Sequence, residues 1–259
     1  PVIVIAEMLG VPPEERAQFR EWSNRRARIL EPLIDARTLR IANEASESLN
    51  GYFRSIIQAR RAEPRDDIIS ALVHVEEEGD RLTEREMLAM LRLLLVAGNE
   101  TTTNLIGNGM LALLRNPDQL RPLREDPGLI PRAVEELLRY DAPAQAFFRR
   151  VLADCEVNGF AVRKGDNIIL LIGAANRDGQ AFDDPDRLDV GRPECPHLSL
   201  SRGIHYCLGA QLARLEARIV FETLLERFPE IELLDHRPRF RSGVVLRGLR
   251  SLPLRATRA

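Results

Sequence analysis

The sequence predicts a mainly α chain with a small β region in its C-terminal half. Three observations carry this. Residues 83–117, "TEREMLAMLRLLLVAGNETTTNLIGNGMLALLRNP", hold one helical pattern with no breaker strong enough to end it before Asn116-Pro117. After "DAPAQAF" the hydrophobic period changes, and Asn158-Gly159 gives the best short hairpin signal. A second long helical pattern, residues 208–227, then follows an irregular stretch.

Taken in order, residues 3–10 read as a helix ending at Gly10, with Pro12 and Pro13 beyond it. Residues 14–30 and 36–61 are polar-rich helices, "AEPRDD" is a break, and 66–78 form a short helix stopping at Gly79. The long helix opens on a capping box, Thr83 with Glu86. It far exceeds the mean of about 11–12 residues and is apolar on most of its surface, so it should be central and buried. Helix 117–125, a break at "DPG" and helix 130–140 follow, the last with Pro131 in its first turn. "CEVNGFAV" is a hairpin, and "KGDNIILLIGAAN" adds a turn and a buried strand. Residues 176–204 are irregular, and strand-like pieces ("RPRFRSG", "VVLRGL") run toward the end. There are no repeats.

With 259 residues, 44% of them apolar, a sizeable core is possible and disorder is not the default. A formal charge of −2 points to no nucleic-acid partner, although seven arginines and no acids follow Asp235. Lys164 is the only lysine, which reflects genome composition more than function. Three cysteines, Cys155, Cys195 and Cys207, argue against a disulfide framework and for a reducing, cytoplasmic compartment. No stretch reads as a membrane span or a signal peptide.

Cys207 in "RGIHYCLGAQLARLEAR" attracts most attention. A lone cysteine is usually a small buried apolar residue. Here Gly203 and Gly209 permit unusual backbone geometry and close approach of a flat ligand. The helix onset at 208 favours the thiolate, the metal-ligating form. A zinc site from Cys195, His197, His205 and Cys207 is an alternative, but C-x-H…H-x-C does not match the usual spacing. In "AGNETT", an internal glycine, an acid and a threonine run are poor choices for an apolar helix. Either the threonines bond back to the preceding turn, or Ala97 and Gly98 clear space for a bound group while Glu100 and Thr101 supply a proton path. Glu136 and Arg139 share a helix face and can pair.

Together these pieces resemble a bacterial cytochrome P450, a haem-thiolate monooxygenase, over essentially the whole chain. "AGNET" resembles the oxygen-activating motif, "ELLR" the E-x-x-R pair, "PDRL" the segment giving the cluster's second arginine, and "GIHYCLG" the haem loop. The resemblance implies a P450-like fold lacking its N-terminal part, a single partial domain over 1–259. It makes Cys207 the iron ligand of haem b, a thiolate whose electron donation favours O–O cleavage. Thr101 and Glu100 become the catalytic proton-delivery residues. Arg149, His197 and His205 become propionate partners, with Ala97, Gly98 and Gly209 also lining the cofactor. Arg187 joins Glu136 and Arg139 in bracing the loop. A lipophilic substrate would touch Leu94, Val96, Ala97, "PAQAF" and "SGVV". Dioxygen would be the oxidant, with electrons from a ferredoxin and its reductase docking near Arg202 and Arg214. Nucleic acid and membrane are not expected partners.

Leu200 and Ser201 stand where the family's loop usually has Phe-Gly, Gln211 where proline is common, and Leu188 where phenylalanine is common. The region that in the family precedes residues 1–10 is not present. That implies a gene fragment or truncated chain with poor haem retention by itself, and gives an alternative reading as an inactive haem- or ligand-binding remnant.

Overall fold

The computed structural model describes residues 1–75 and 82–258. The chain divides into two compact units, Pro1–Thr103 and Asn104–Ala259.

In the first unit, α1 (Val2–Met8), α2 (Arg16–Ala27), α3 (Ala36–Ala62), α4 (Ile68–His74) and the first part of α5 (Glu84–Arg115) pack around one apolar core. Phe19, Leu49, Phe53, Ile57, Leu91 and Leu95 are among its fully buried members. Phe19 meets Tyr52 and Phe53 edge-on, at ring-centre distances of 4.8 and 5.6 Å, the arrangement the ring quadrupole favours. Asp35 and Asp67 cap α3 and α4 by accepting from the N–H groups of Thr38 and Ser70. Asp67 also pairs with buried Arg60 at 2.5 Å. The predicted end of the short helix at Gly79 lies outside the described residues; the described helix ends at His74. The capping box forms as read, with the Thr83 N–H on the Glu86 carboxylate at 2.8 Å and the Glu86 N–H on the Thr83 hydroxyl at 3.3 Å.

In the second unit, the remainder of α5, α6 (Pro117–Glu125), α7 (Ile130–Tyr140) and α9 (Ala210–Arg227) enclose a core of Leu113, Val134, Leu137, Ala217 and Phe221. Gly109 is small for a packing reason. A Cβ there would stand 2.9 Å from Phe221 and 3.0 Å from Leu137. Strands β1 (Ala146–Arg150) and β4 (Asn167–Leu171) pair antiparallel, Ala146 opposite Leu171 and Arg150 opposite Asn167. The hairpin of β2 (Cys155–Val157) and β3 (Phe160–Val162) turns at Asn158-Gly159, both with positive φ (50° and 81°), as a type I′ turn requires. After the short α8 (Ile172–Ala175) and the irregular stretch comes α9, and β5 (Glu230–Leu233) pairs antiparallel with β6 (Leu254–Thr257).

Two expectations change. "NIILL" is a strand but not a buried one, since Ile169, Leu170 and Leu171 are all exposed. It belongs to a two-stranded ribbon with no sheet or helix stacked over those side chains. "RPRFRSG" and "VVLRGL" form isolated bridges, Phe240 with Leu249 and Ala144 with Leu246, rather than strands. No helix among the described residues is long and apolar enough to cross a membrane.

The C-terminal segment is seated on α5 by two asparagines. Asn108 donates to the Arg247 carbonyl at 3.0 Å, and the amide of buried Asn104 lies where a Cβ on Gly248 would have to go. Gly248→Ala should therefore lower stability by about 1–3 kcal/mol in a urea titration, and Asn104→Ala in the same chain should recover part of it. Full additivity of the two losses would contradict this contact.

Candidate functional site

Cys207 sits between a short turn, Gly203–His205, and the start of α9. Its N–H donates to the Leu200 carbonyl at 2.9 Å, and its carbonyl accepts from the Ala210 N–H at 3.1 Å. The loop is bent at Ser201 and Gly203, both at φ 61°. Gly203 takes this left-handed conformation freely, whereas Ser201 bears the modest strain of a side chain there. No polar atom among the described residues pairs with the Cys207 sulfur. Among the described residues, no heavy atom beyond the adjoining residues lies within 4 Å of where a Cβ would stand on Gly203 or Gly209. Ile204 and Leu208, on either side of the sulfur in sequence, are 98% and 82% exposed. Gly209 caps α9 without a side-chain hydrogen bond. The arrangement offers a single cysteine sulfur at a helix onset beside open, apolar-edged space. It suits a metal whose other ligands come from a flat macrocycle, and so fits haem.

Behind the loop lies the most strongly determined polar group in the unit. Arg139 and Glu136 are fully buried, joined by two parallel bonds of 2.7 and 2.8 Å. The remaining Arg139 donors reach the carbonyls of Asn176 (2.8 Å), Pro185 (2.7 Å) and Arg187 (3.0 Å). All five guanidinium donors are therefore used. The second arginine on Glu136 is Arg192, at 3.1 Å and 8% exposed. The Asp189 N–H adds a further bond to Glu136 at 2.9 Å. This corrects the expectation for Arg187, whose side chain is exposed and which contributes only its carbonyl. The physical reason is the turn geometry. Asp184, at φ 45°, starts a turn that aims the Arg187 backbone inward. A second turn from Asp189 brings Arg192 in.

Glu135, the preceding residue, gathers a second set. Arg214 of α9 binds both its oxygens (2.7 and 2.8 Å) and His197 binds one (3.2 Å). Burial works to raise the Glu135 carboxyl, but the Arg214 guanidinium and then His197 outweigh it and hold the group at about 2. The His197 Nδ1 accepts the Ser199 N–H at 3.2 Å, which leaves the proton on Nε2 to donate to Glu135. Both ring nitrogens of this buried histidine are thus committed to protein. These bonds give His197 a bracing role in the loop. Arg214 is likewise neutralised by Glu135 rather than presented as a docking charge, while Arg202 stays exposed. The zinc alternative fails too, since no group of three or more candidate ligands converges among the described residues. Cys195 instead points at the Glu135 carbonyl (3.5 Å) and the Glu136 carboxylate (3.7 Å). Burial, then the Glu136 charge, pushes its thiol up to about 12.

His205 is exposed, and half-buried Arg149 bonds only the Phe148 carbonyl, at 2.9 Å. Both remain available to an anion. The second unit also joins two segments read as substrate-facing: the Gln145 N–H of "PAQAF" donates to the Val245 carbonyl of "SGVV" at 2.7 Å.

In the first unit, the "AGNET" stretch resolves residue by residue. Gly98 faces Ile5 of α1, 3.3 Å from where a Cβ would stand. Its smallness serves helix packing. Asn99 donates to Ser23 and Asn24 of α2 at 3.2 and 3.3 Å. Leu94 packs into the core, whereas Ala97 is exposed. Glu100 is buried, and the Thr101 hydroxyl donates to the Ala97 carbonyl at 2.7 Å. Sequence reasoning missed Arg192, Glu135 and the Arg214 pairing. The doubled acid in "VEELLR" was the available signal for Glu135, since two consecutive helical carboxylates reach two different sets of neighbours.

The comparisons with known proteins follow this geometry. The sequence profile of the family described as "Cytochrome P450" matches residues 19–127 and 128–247. The chain is 45% identical over 258 residues to cytochrome P450 107B1 of Saccharopolyspora erythraea, covering 98% of this chain and 62% of that protein. It is 44% identical to the polyketide biosynthesis cytochrome P450 PksS of Bacillus subtilis, with the same coverage of each. The solved PksS structure superposes with a TM-score of 0.91 over 98% of this chain and 65% of that one. P450BioI, solved with an acyl carrier protein carrying hexadec-9Z-enoic acid, is 42% identical and superposes at 0.94 over 99% and 66%. The chain thus spans about 62% of the length of the curated relatives it matches.

Two outcomes test the site. Arg192→Leu should destabilise by about 3 kcal/mol or more, because it strands a buried carboxylate, while Arg187→Leu should stay within about 0.5 kcal/mol. Equal effects in denaturant titrations would overturn the assignment of Arg192. For Glu135, the folded value of about 2 lies below the unfolded value of about 4.3. Its contribution is therefore full above about pH 4 and is lost as pH falls toward about 2. Glu135→Gln should flatten that part of the acid-unfolding curve.

Proposed function

The chain belongs to the cytochrome P450 family, and on that premise we propose that it works as a haem-dependent monooxygenase with the Cys207 thiolate as ligand to the iron of haem b. The observation that supports this most is the unpartnered Cys207 sulfur on a loop with open, apolar edges, backed by the buried Glu136–Arg139–Arg192 cluster. The bound haem would supply the redox chemistry that places one atom of dioxygen into an organic substrate and releases the other as water, with two electrons and two protons consumed.

The chain's own residues do the rest. The loop places the Cys207 sulfur just before the first turn of α9. The Arg149 guanidinium and the exposed His205 ring are left to orient the propionates. By the family resemblance, Gly209, Ala97 and Gly98 would line the cofactor. Glu100 takes up and passes protons, and Thr101 is the hydroxyl next to it. Because that hydroxyl donates to the Ala97 carbonyl, handing a proton outward requires the O–H to rotate away from it, exchanging one bond for another. A lipophilic substrate fits the apolar Pro143–Phe147 and Ser242–Val245 segments. The polyketide and fatty-acyl chemistry named for two relatives supports that class. Electrons come from a ferredoxin-type partner and its reductase, with Arg202 as an exposed cation beside the loop. A cytoplasmic setting suits the free cysteines.

The test is the spectrum of the full-length protein loaded with haem and reduced under carbon monoxide. A red-shifted Soret band is expected, lost in Cys207→Ser, with peroxide-driven turnover falling in parallel. Retention of that band in Cys207→Ser, or stoichiometric zinc without porphyrin, would overturn the reading.

A further inference from the structure

Glu135 and Glu136 are consecutive on α7, so they project about 100° apart and serve different neighbours. Arg214 holds both oxygens of Glu135, and its third nitrogen donates to the Tyr206 hydroxyl at 2.9 Å. Tyr206 immediately precedes Cys207. On the other side of the loop, Glu135 holds His197, and His197 accepts the Ser199 N–H. The Ser199 hydroxyl donates to the Leu138 carbonyl at 2.6 Å, and the next residue, Leu200, supplies the carbonyl that accepts the Cys207 N–H. One carboxylate is therefore tied to the chain on both flanks of the thiol.

We propose that Arg214 and Glu135 form a positioning pair that holds the Cys207 loop in its ligating shape, gripping it through the Tyr206 hydroxyl. The inference rests on the haem-thiolate reading of Cys207. The loop needs such support, because Ser201 is held at φ 61° and Ile204 and Leu208 project into solvent rather than into a core. Few packing contacts restrain it from that side, so polar bonds from behind carry more of its definition. The planar guanidinium suits the task. It spends one edge on the carboxylate and keeps a donor for the phenol, a division a lysine ammonium cannot reproduce.

The experiment uses the full-length, haem-loaded protein. Absence of the red-shifted carbonyl band in the wild type would count against the haem-thiolate reading itself. With that band present, its conversion to the thiol-ligated form in moderate urea is timed for Tyr206→Phe, Arg214→Lys and Glu135→Gln, beside each thermal midpoint. Conversion about threefold faster or more is expected in all three, with the Tyr206→Phe midpoint within about two degrees of wild type. The proposal is overturned if Tyr206→Phe converts at the wild-type rate. It is also overturned if Arg214→Lys restores that rate, which would leave only a charge effect, or if the rates merely follow the thermal midpoints.

Discussion

The second unit depends on one constraint: the Glu136 carboxylate is out of water and must be fully satisfied. Burying an isolated carboxylate is prohibitive, so its neighbours have to deliver donors with good geometry. Arg139 supplies two, Arg192 one and the Asp189 backbone one. Arg139 then has its own unused donors to satisfy, and these fix the carbonyls of Asn176, Pro185 and Arg187. A stretch with no regular secondary structure is thus held in one conformation by a helix that precedes it in the chain. The Cys207 loop is the continuation of that stretch.

This organisation separates the residue that would do chemistry from those that let it. Cys207 makes only backbone bonds and leaves its sulfur open, while the arginines and glutamates near it in sequence or space are largely consumed internally. His197 and Arg214 belong to the supporting set. Arg149 and Arg202 have charge, and His205 an exposed ring, left to offer a ligand or partner. Conserving buried charge for architecture and exposing little of it is a sensible division, since a paired guanidinium attracts a partner far less than a free one.

In the "AGNET" stretch the back-bonding reading holds, and packing accounts for the glycine. The threonines do bond back to the preceding turn, as Thr101 to Ala97 and Thr103 to Asn99. Gly98 is small because Ile5 lies against it, and Asn99 ties α5 to α2. What remains for a ligand is the exposed Ala97 and the Thr101 oxygen. A local oddity in a helix can thus be divided between packing and chemistry one side chain at a time.

Much of the fold was legible because its signals are local. The capping box at Thr83, the type I′ turn at Asn158-Gly159 and the breaks at Gly10 and Asn116-Pro117 depend on residues a few positions apart, and each appears as read. Cys207 stood out for the same reason, since its glycines and helix onset are adjacent. Burial of "NIILL" was misjudged because an apolar strand does not state what will cover it. The sequence by itself determined the long helices, several of their ends and the position of the cysteine loop before α9, all short-range consequences of backbone sterics and capping. Only the tertiary structure decided that Arg192 rather than Arg187 meets Glu136, and that His197 and Arg214 meet Glu135. Those pairings join residues 56, 62 and 79 positions apart, where turn geometry and the need to satisfy a buried carboxylate choose the partner.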